Sequence, residues 1–247
     1  MTVIKQIYST ITFFIVILLF TSCEKPEGLG GNGEIKGMVT VNLYDTDFKV
    51  LQATYPAVKK DVFIIYGDDN TISNSNETSN TGDFSFSYLR KGDYTIFVYS
   101  DGKLESSPSG KVTVEKDVTL NSNKDVVDVG ELIIYETIDV NDGDATIKGR
   151  VRQVNYTSDF NFIRDTTNAQ EAPVYIFYED NPEYIERLRT LDDGTFALSH
   201  LIKGKYTIKV YSEDITGGKE DVMITAKAEI SNFGQTVDVG DIFIAKN

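Results

Sequence analysis

The side chain with the most distinctive chemistry is Cys23, the only cysteine in 247 residues. A thiolate is a nucleophile and a metal ligand, but one cysteine forms no intramolecular disulfide and no Cys-rich zinc site. His200 is likewise the only histidine, which excludes a multi-histidine metal centre. Oxygen donors, by contrast, are abundant: 38 Asp+Glu against 24 Lys+Arg leave a formal net charge of −14. Calcium takes about six to eight oxygens, often from closely spaced Asp and Asn. The densest such run is Asp139-Val140-Asn141-Asp142-Gly143-Asp144, so Asp139, Asn141, Asp142 and Asp144 are candidate ligands, with shorter acidic loops at Asp68-Asp69-Asn70 and Asp180-Asn181. The run lacks the EF-hand register, because Gly143 falls at its fifth position and no Glu closes it. Asp-Asn-Gly clusters are also ordinary turn formers. The expectation is therefore no cofactor.

No His-Glu-x-x-His, nucleophile elbow or phosphate-binding Gly loop occurs, and no carboxylate pair stands in an apolar context that would raise a pKa. The expectation is a non-enzyme. A chain of this negative charge repels a phosphate backbone, which argues against nucleic acid as a partner.

The apolar run Ile11–Phe20 (ITFFIVILLF), preceded by Lys5, is short for a bilayer span, which needs about 20 apolar residues. It has the make-up of an export-signal core. Leu19-Phe20-Thr21-Ser22-Cys23 resembles the lipobox of bacterial lipoproteins, in which the cysteine after the cleavage site is diacylated. That resemblance implies a signal peptide over 1–22, lipidation of Cys23, and a membrane partner held through the N-terminal lipid; two acyl chains anchor stably where one does not. Residues 23–33, with four Gly and Pro26, read as a flexible tether. Their acidic start is similar to the surface-export signals of Gram-negative lipoproteins. The expected location is the outer membrane, at the cell surface or on the periplasmic face.

The remainder is one module written twice. Ile35-Lys36-Gly37 recurs as Ile147-Lys148-Gly149, and at that offset of 112 the segment 35–100 is identical at 26 of 66 positions. Near the end the offset is 110, where Val127-Asp128-Val129-Gly130 meets Val237-Asp238-Val239-Gly240. The expected domains are 34–137 and 146–247, joined by a linker over 138–145. Inside each copy Phe84, Phe86 and Tyr88 alternate with polar residues, while Val62–Tyr66 and Val174–Tyr178 are continuous apolar runs. These patterns predict an all-β chain with about seven strands per copy, at 34–42, 61–67, 72–78, 82–89, 93–100, 110–118 and 126–135 in the first, packed as tandem sandwiches.

Ile35, Gly37, Val39, Gly82, Phe84, Leu89, Gly92, Tyr94, Ile96 and Val98, matched by Ile147, Gly149, Val151, Gly194, Phe196, Leu201, Gly204, Tyr206, Ile208 and Val210, follow an order that resembles the carboxypeptidase-regulatory-like domain. The resemblance implies a transthyretin-like, Ig-like sandwich related to the Cna-B repeats of surface adhesins, and says little of function. In its namesake enzymes the domain accompanies a separate catalytic domain. The Cna-B relatives form Lys–Asn crosslinks beside an acid. Here Lys36, Lys148, Asp128 and Asp238 read instead as solvent-facing charge.

Exposed aromatics are the best pointer to binding. Tyr94, Ile96 and Val98 form a core face, as do Tyr206, Ile208 and Val210. The opposite face carries Thr95, Phe97 and Tyr99 in the first copy and Thr207, Lys209 and Tyr211 in the second. Phe97 and Tyr99 are therefore candidate contact residues, unless the segment 43–60 covers them. His200 aligns with Tyr88 and reads as an aromatic strand end without a repeat-wide role. The sum is a lipid-anchored, non-catalytic structural or protein-interaction module of a Gram-negative envelope. The alternative is a glycan- or small-ligand-binding accessory lipoprotein of a nutrient-uptake system.

Overall fold

The computed structural model describes residues 26–102, 109–216, 218 and 220–247, so Cys23 and the segment 1–22 lie outside the described residues. The first repeat contains β1 (Leu29–Asp45), β2 (Leu51–Pro56), β3 (Asp61–Tyr66), β4 (Asn74–Glu77), β5 (Asp83–Leu89), β6 (Gly92–Asp101), β7 (Lys111–Leu120) and β8 (Val126–Ile138). The second contains β9 (Ala145–Tyr156), β10 (Ile163–Asn168), β11 (Pro173–Tyr178), β12 (Glu186–Arg189), β13 (Thr195–Leu201), β14 (Gly204–Ser212), β15 (Val222–Ile230) and β16 (Thr236–Lys246). Each repeat is a β-sandwich of two four-stranded sheets. One has the order β2-β1-β5 with β8 on β1, matched by β10-β9-β13 with β16 on β9; the other is β4-β3-β6-β7, matched by β12-β11-β14-β15. The final strand β16 runs parallel to β9, from Thr236 opposite Thr146 to Lys246 opposite Asn155.

Two expectations change. Each sandwich has eight strands rather than seven, because β2 and β10 were not foreseen. β10 is exposed at every position and β2 at most of its positions, so no buried face stamps a period of two on their sequence. The segment 29–33, expected as tether, is the start of β1. Gly28 donates its backbone N–H to the Tyr94 hydroxyl (3.1 Å) and Asn32 its N–H to the Asn123 carbonyl (2.7 Å). Glycine is needed here for close approach rather than for flexibility, since a Cβ on Gly31 would lie 1.9 Å from the Leu89 carbonyl oxygen.

By packing, the described chain forms two compact units whose boundary does not follow the repeats. The first holds the chain up to Val39 with Val58–Val98 and Glu115–Leu132, around a core that includes Ile35, Val62, Ile64, Phe84, Tyr94 and Ile96. The Ile-Lys-Gly motif is explained inside it: a Cβ on Gly37 would meet Phe84 Cζ at 2.8 Å and Val129 Cγ2 at 2.7 Å.

The second unit holds Thr40–Ala57, Tyr99–Val114 and Ile133–Asn247. Its core cluster includes Ile147, Val174, Ile176, Tyr206, Ile208 and Val210, with Val50 packed against it. Gln52, 1% exposed, accepts from the Lys203 backbone N–H (2.8 Å) and donates its amide to the Lys203 carbonyl (2.9 Å). Nearby the Tyr178 hydroxyl donates to Asp45 Oδ2 at 3.2 Å. Burial, then the Asp45 charge, pushes the Tyr178 phenol far above its ordinary pKa.

Three of the identical pairs are buried polar pins. Thr190 Oγ1 accepts from Ala172 N–H (2.8 Å), as Thr78 Oγ1 accepts from Lys60 N–H (2.9 Å). Ser212 accepts from Ala245 N–H and Ser100 from Tyr135 N–H, each at 2.8 Å. Tyr206 donates to the Ile202 carbonyl (2.8 Å) and Tyr94 to that of Arg90 (2.7 Å). Left-handed backbone recurs as well: Phe48 and Phe160 have φ of 56° and 54°, Lys59 and Glu171 53° and 57°, Tyr88 and His200 62° and 63°. His200 therefore does share a repeat-wide role, and it is one of backbone geometry: the β13–β9 register shifts between Leu198 and Leu201.

Candidate binding face

The expected contact residues separate. Phe97 is 6% exposed and stacks on Phe63, with ring centres 5.1 Å apart and planes 22° apart. A ring so covered offers no stacking face to a ligand. The segment 43–60 contributes β2 to the sheet containing β1, and it is Phe63 that lies on Phe97. Tyr99 is 49% exposed.

Two carboxylates of the acidic run 139–144 are turned onto the backbone. Asp139 Oδ1 accepts from Asn141 N–H (3.0 Å), and Asp144 Oδ1 accepts from Gly234 N–H (2.7 Å). Asp142 donates its backbone N–H to the Asp139 carbonyl (3.1 Å), and Gly143 donates to that of His200 (2.9 Å). These bonds hold a turn. Among the described residues no three His, Cys, Asp or Glu converge as metal ligands. Lys148 and Asp238 form an exposed ion pair at 3.5 Å.

A more concentrated set of side chains lies in the second unit, on the outward face of the sheet β12-β11-β14-β15. Val174, Ile176, Ile208 and Val210 alternate into the core at 0% exposure, so their neighbours point the other way. Register places Tyr175 opposite Arg187 on β12 and opposite Lys209 on β14, and Lys209 opposite Thr225 on β15. One row thus runs Arg187, Tyr175, Lys209, Thr225 across four strands. Tyr175 is ringed edge-on by Tyr184 (5.4 Å, 71°) and Tyr211 (5.7 Å, 89°), and Tyr184 also meets Phe177 (6.4 Å, 84°).

The Arg187 guanidinium sits 5.6 Å above the Tyr175 ring and donates Nε–H to its hydroxyl (3.2 Å), and Lys209 Nζ lies 4.3 Å from the Phe177 centre. The negative faces of the rings hold both cations in place. Tyr184 and Tyr211 remain 52% and 43% exposed. Among the described residues no carboxylate lies within ion-pair distance of Arg187, Lys209 or Lys227.

The sequence pattern places Lys209 and Tyr211 on the face opposite the core, whereas Arg187 and Tyr184 are not foreseen there. The available signal was Arg187 on the short, polar edge strand β12 and Tyr184 in the loop just before it. The face can do two things chemically: offer rigid aromatic surface and present unpaired cations to an anion.

No protein-family model matches the chain, and no curated protein matches it. Among solved structures, the Bacillus anthracis TIE protein is similar at 14% identity and a TM-score of 0.27, over 86% of this chain and 35% of that one. A Streptococcal ancillary pilin is similar at 13% and 0.30, over 87% and 62%. The minor pilin of Streptococcus agalactiae is similar at 12% and 0.28, over 87% and 96%. The chain thus spans about a third of the first of these proteins and less than two thirds of the second.

Proposed function

We propose that this chain is a lipid-anchored envelope protein of a Gram-negative bacterium whose two tandem sandwiches, of the carboxypeptidase-regulatory-like type, form a non-catalytic interaction module. The observation that carries the interaction reading is the outward face of β12-β11-β14-β15, where exposed rings and unpaired cations stand on a rigid sheet. The anchor rests on the apolar run Ile11–Phe20 followed by Cys23. In the test, Cys23→Ala protein is fractionated from cells and compared with wild type. Release of the variant from the membrane fraction, with loss of incorporated labelled fatty acid, is the expected outcome; an unchanged membrane fraction would sink the anchor. Protease shaving of intact cells then reports whether the module faces outward or the periplasm.

A further inference from the structure

We propose that the outward face of β12-β11-β14-β15 binds an acidic polysaccharide, with Arg187 and Lys209 taking its carboxylates and Tyr184 and Tyr211 lying against its sugar rings. The inference deepens the interaction reading above and rests on it. Charge is the first argument. The chain carries a net −14, yet on this face Arg187 and Lys209 stand with no carboxylate in ion-pair range among the described residues. Unpaired cations held against the field of an acidic protein are matched by an anionic ligand. The guanidinium fork suits the planar carboxylate of a uronate.

The rings are the second argument. Tyr184 and Tyr211 flank Tyr175 at 5.4 and 5.7 Å, so their orientation is set by packing while about half of each stays in solvent. A pyranose has an apolar C–H face for such a ring and hydroxyls for its phenol. An open four-stranded sheet face accommodates a chain of sugars. A second copy of this protein is the competing anionic partner, through the corresponding face of the first repeat. There, however, Thr95 donates to Asp117 Oδ1 (2.8 Å) and Thr119 to Asp93 Oδ1 (2.6 Å), and Phe97 is buried. Those carboxylates already accept hydrogen bonds, and the Phe97 ring is covered.

The test is calorimetric titration of the purified full-length lipoprotein in detergent micelles with polygalacturonate, and with the same polymer fully methyl-esterified, which keeps the rings and removes the charge. The expected result is saturable binding of the acid that weakens with salt, and about tenfold or more weaker binding of the ester. The double variant Arg187→Gln/Lys209→Gln is expected to lose about tenfold or more in affinity, and Tyr211→Ala to weaken both polymers. Circular dichroism of each variant verifies that it is folded. The proposal is overturned by absence of binding to the acid, by equal binding of acid and ester, or by folded variants that bind as wild type. Sedimentation showing self-association that the double variant abolishes, without polymer binding, would assign the face to copies of the chain. Binding is read on purified protein, so its failure leaves the membrane anchor of Cys23 untouched, and the reverse holds as well.

Discussion

Lys209 Nζ lies 4.3 Å from the centre of the Phe177 ring, at the strand position where the first repeat has Phe97 stacked on Phe63. One site in the repeat is thus filled by a cation over a ring in one copy and by a ring on a ring in the other. Lys209→Ala is expected to lower stability by about 0.5–1 kcal/mol, the ordinary worth of an exposed cation–π contact. Urea denaturation measures it, and a loss above about 3 kcal/mol would mean that Lys209 holds the core rather than the face.

Gln52 satisfies both the N–H and the carbonyl of Lys203 from a buried position. Gln52→Ala would strand the Lys203 N–H at a cost of about 1–3 kcal/mol, while the carbonyl keeps the Tyr178 hydroxyl 3.1 Å away. Thr54→Ala serves as the comparison, since Thr54 donates to Asn42 at 2.7 Å on the exposed side of the same strand and its loss is expected to stay within about 0.5 kcal/mol. Equal urea midpoints for the two variants would refute the bracing role of Gln52.

Gly37→Ala and Gly149→Ala test whether the Ile-Lys-Gly motif has one cause in both copies. The new Cβ would lie 2.8 Å from Phe84 Cζ in the first and 2.8 Å from Phe196 Cζ in the second. Forcing a carbon into such space typically costs about 1–3 kcal/mol, so thermal melts of both variants are expected to shift downward by similar amounts. A neutral effect in either copy would show that its phenylalanine yields.

The Asp159 carboxylate accepts from Thr157 Oγ1 (2.5 Å) and from Asn161 Nδ2 (2.6 Å). These bonds, the Thr157 one first, favour the charged form and lower its pKa to about 2. In the unfolded chain an aspartate titrates near about 3.9. A lowered folded value means that the stabilising contribution is present above about pH 4 and fades as pH falls toward about 2. Carboxyl NMR titration is expected to find Asp159 below its unfolded value, and Asp159→Asn to flatten the acid limb of the stability curve.

Sandwich class, repeat offset and core alternation were legible in the residues, because Ile35, Val39, Tyr94, Ile96 and Val98 are buried with the period that a covered sheet imposes. β2 and β10 carry no such period, being exposed at most of their positions. His200 was misjudged for a related reason: what it shares with Tyr88 is a left-handed φ, a property of backbone that two different aromatic side chains do not advertise. The candidate face was half legible. Phe97 and Lys209 occupy one position, but only pairing of β12 with β11 brings Arg187 beside Tyr175.

The parallel pairing of β9 with β16 also has a mechanical consequence. A pull applied between the start of β9 and the end of β16 runs along both strands, and slides one against the other. Their ladder lies across that direction, so its hydrogen bonds bear the load together rather than parting in turn like a zipper. A module wired in this way resists tension between its two ends.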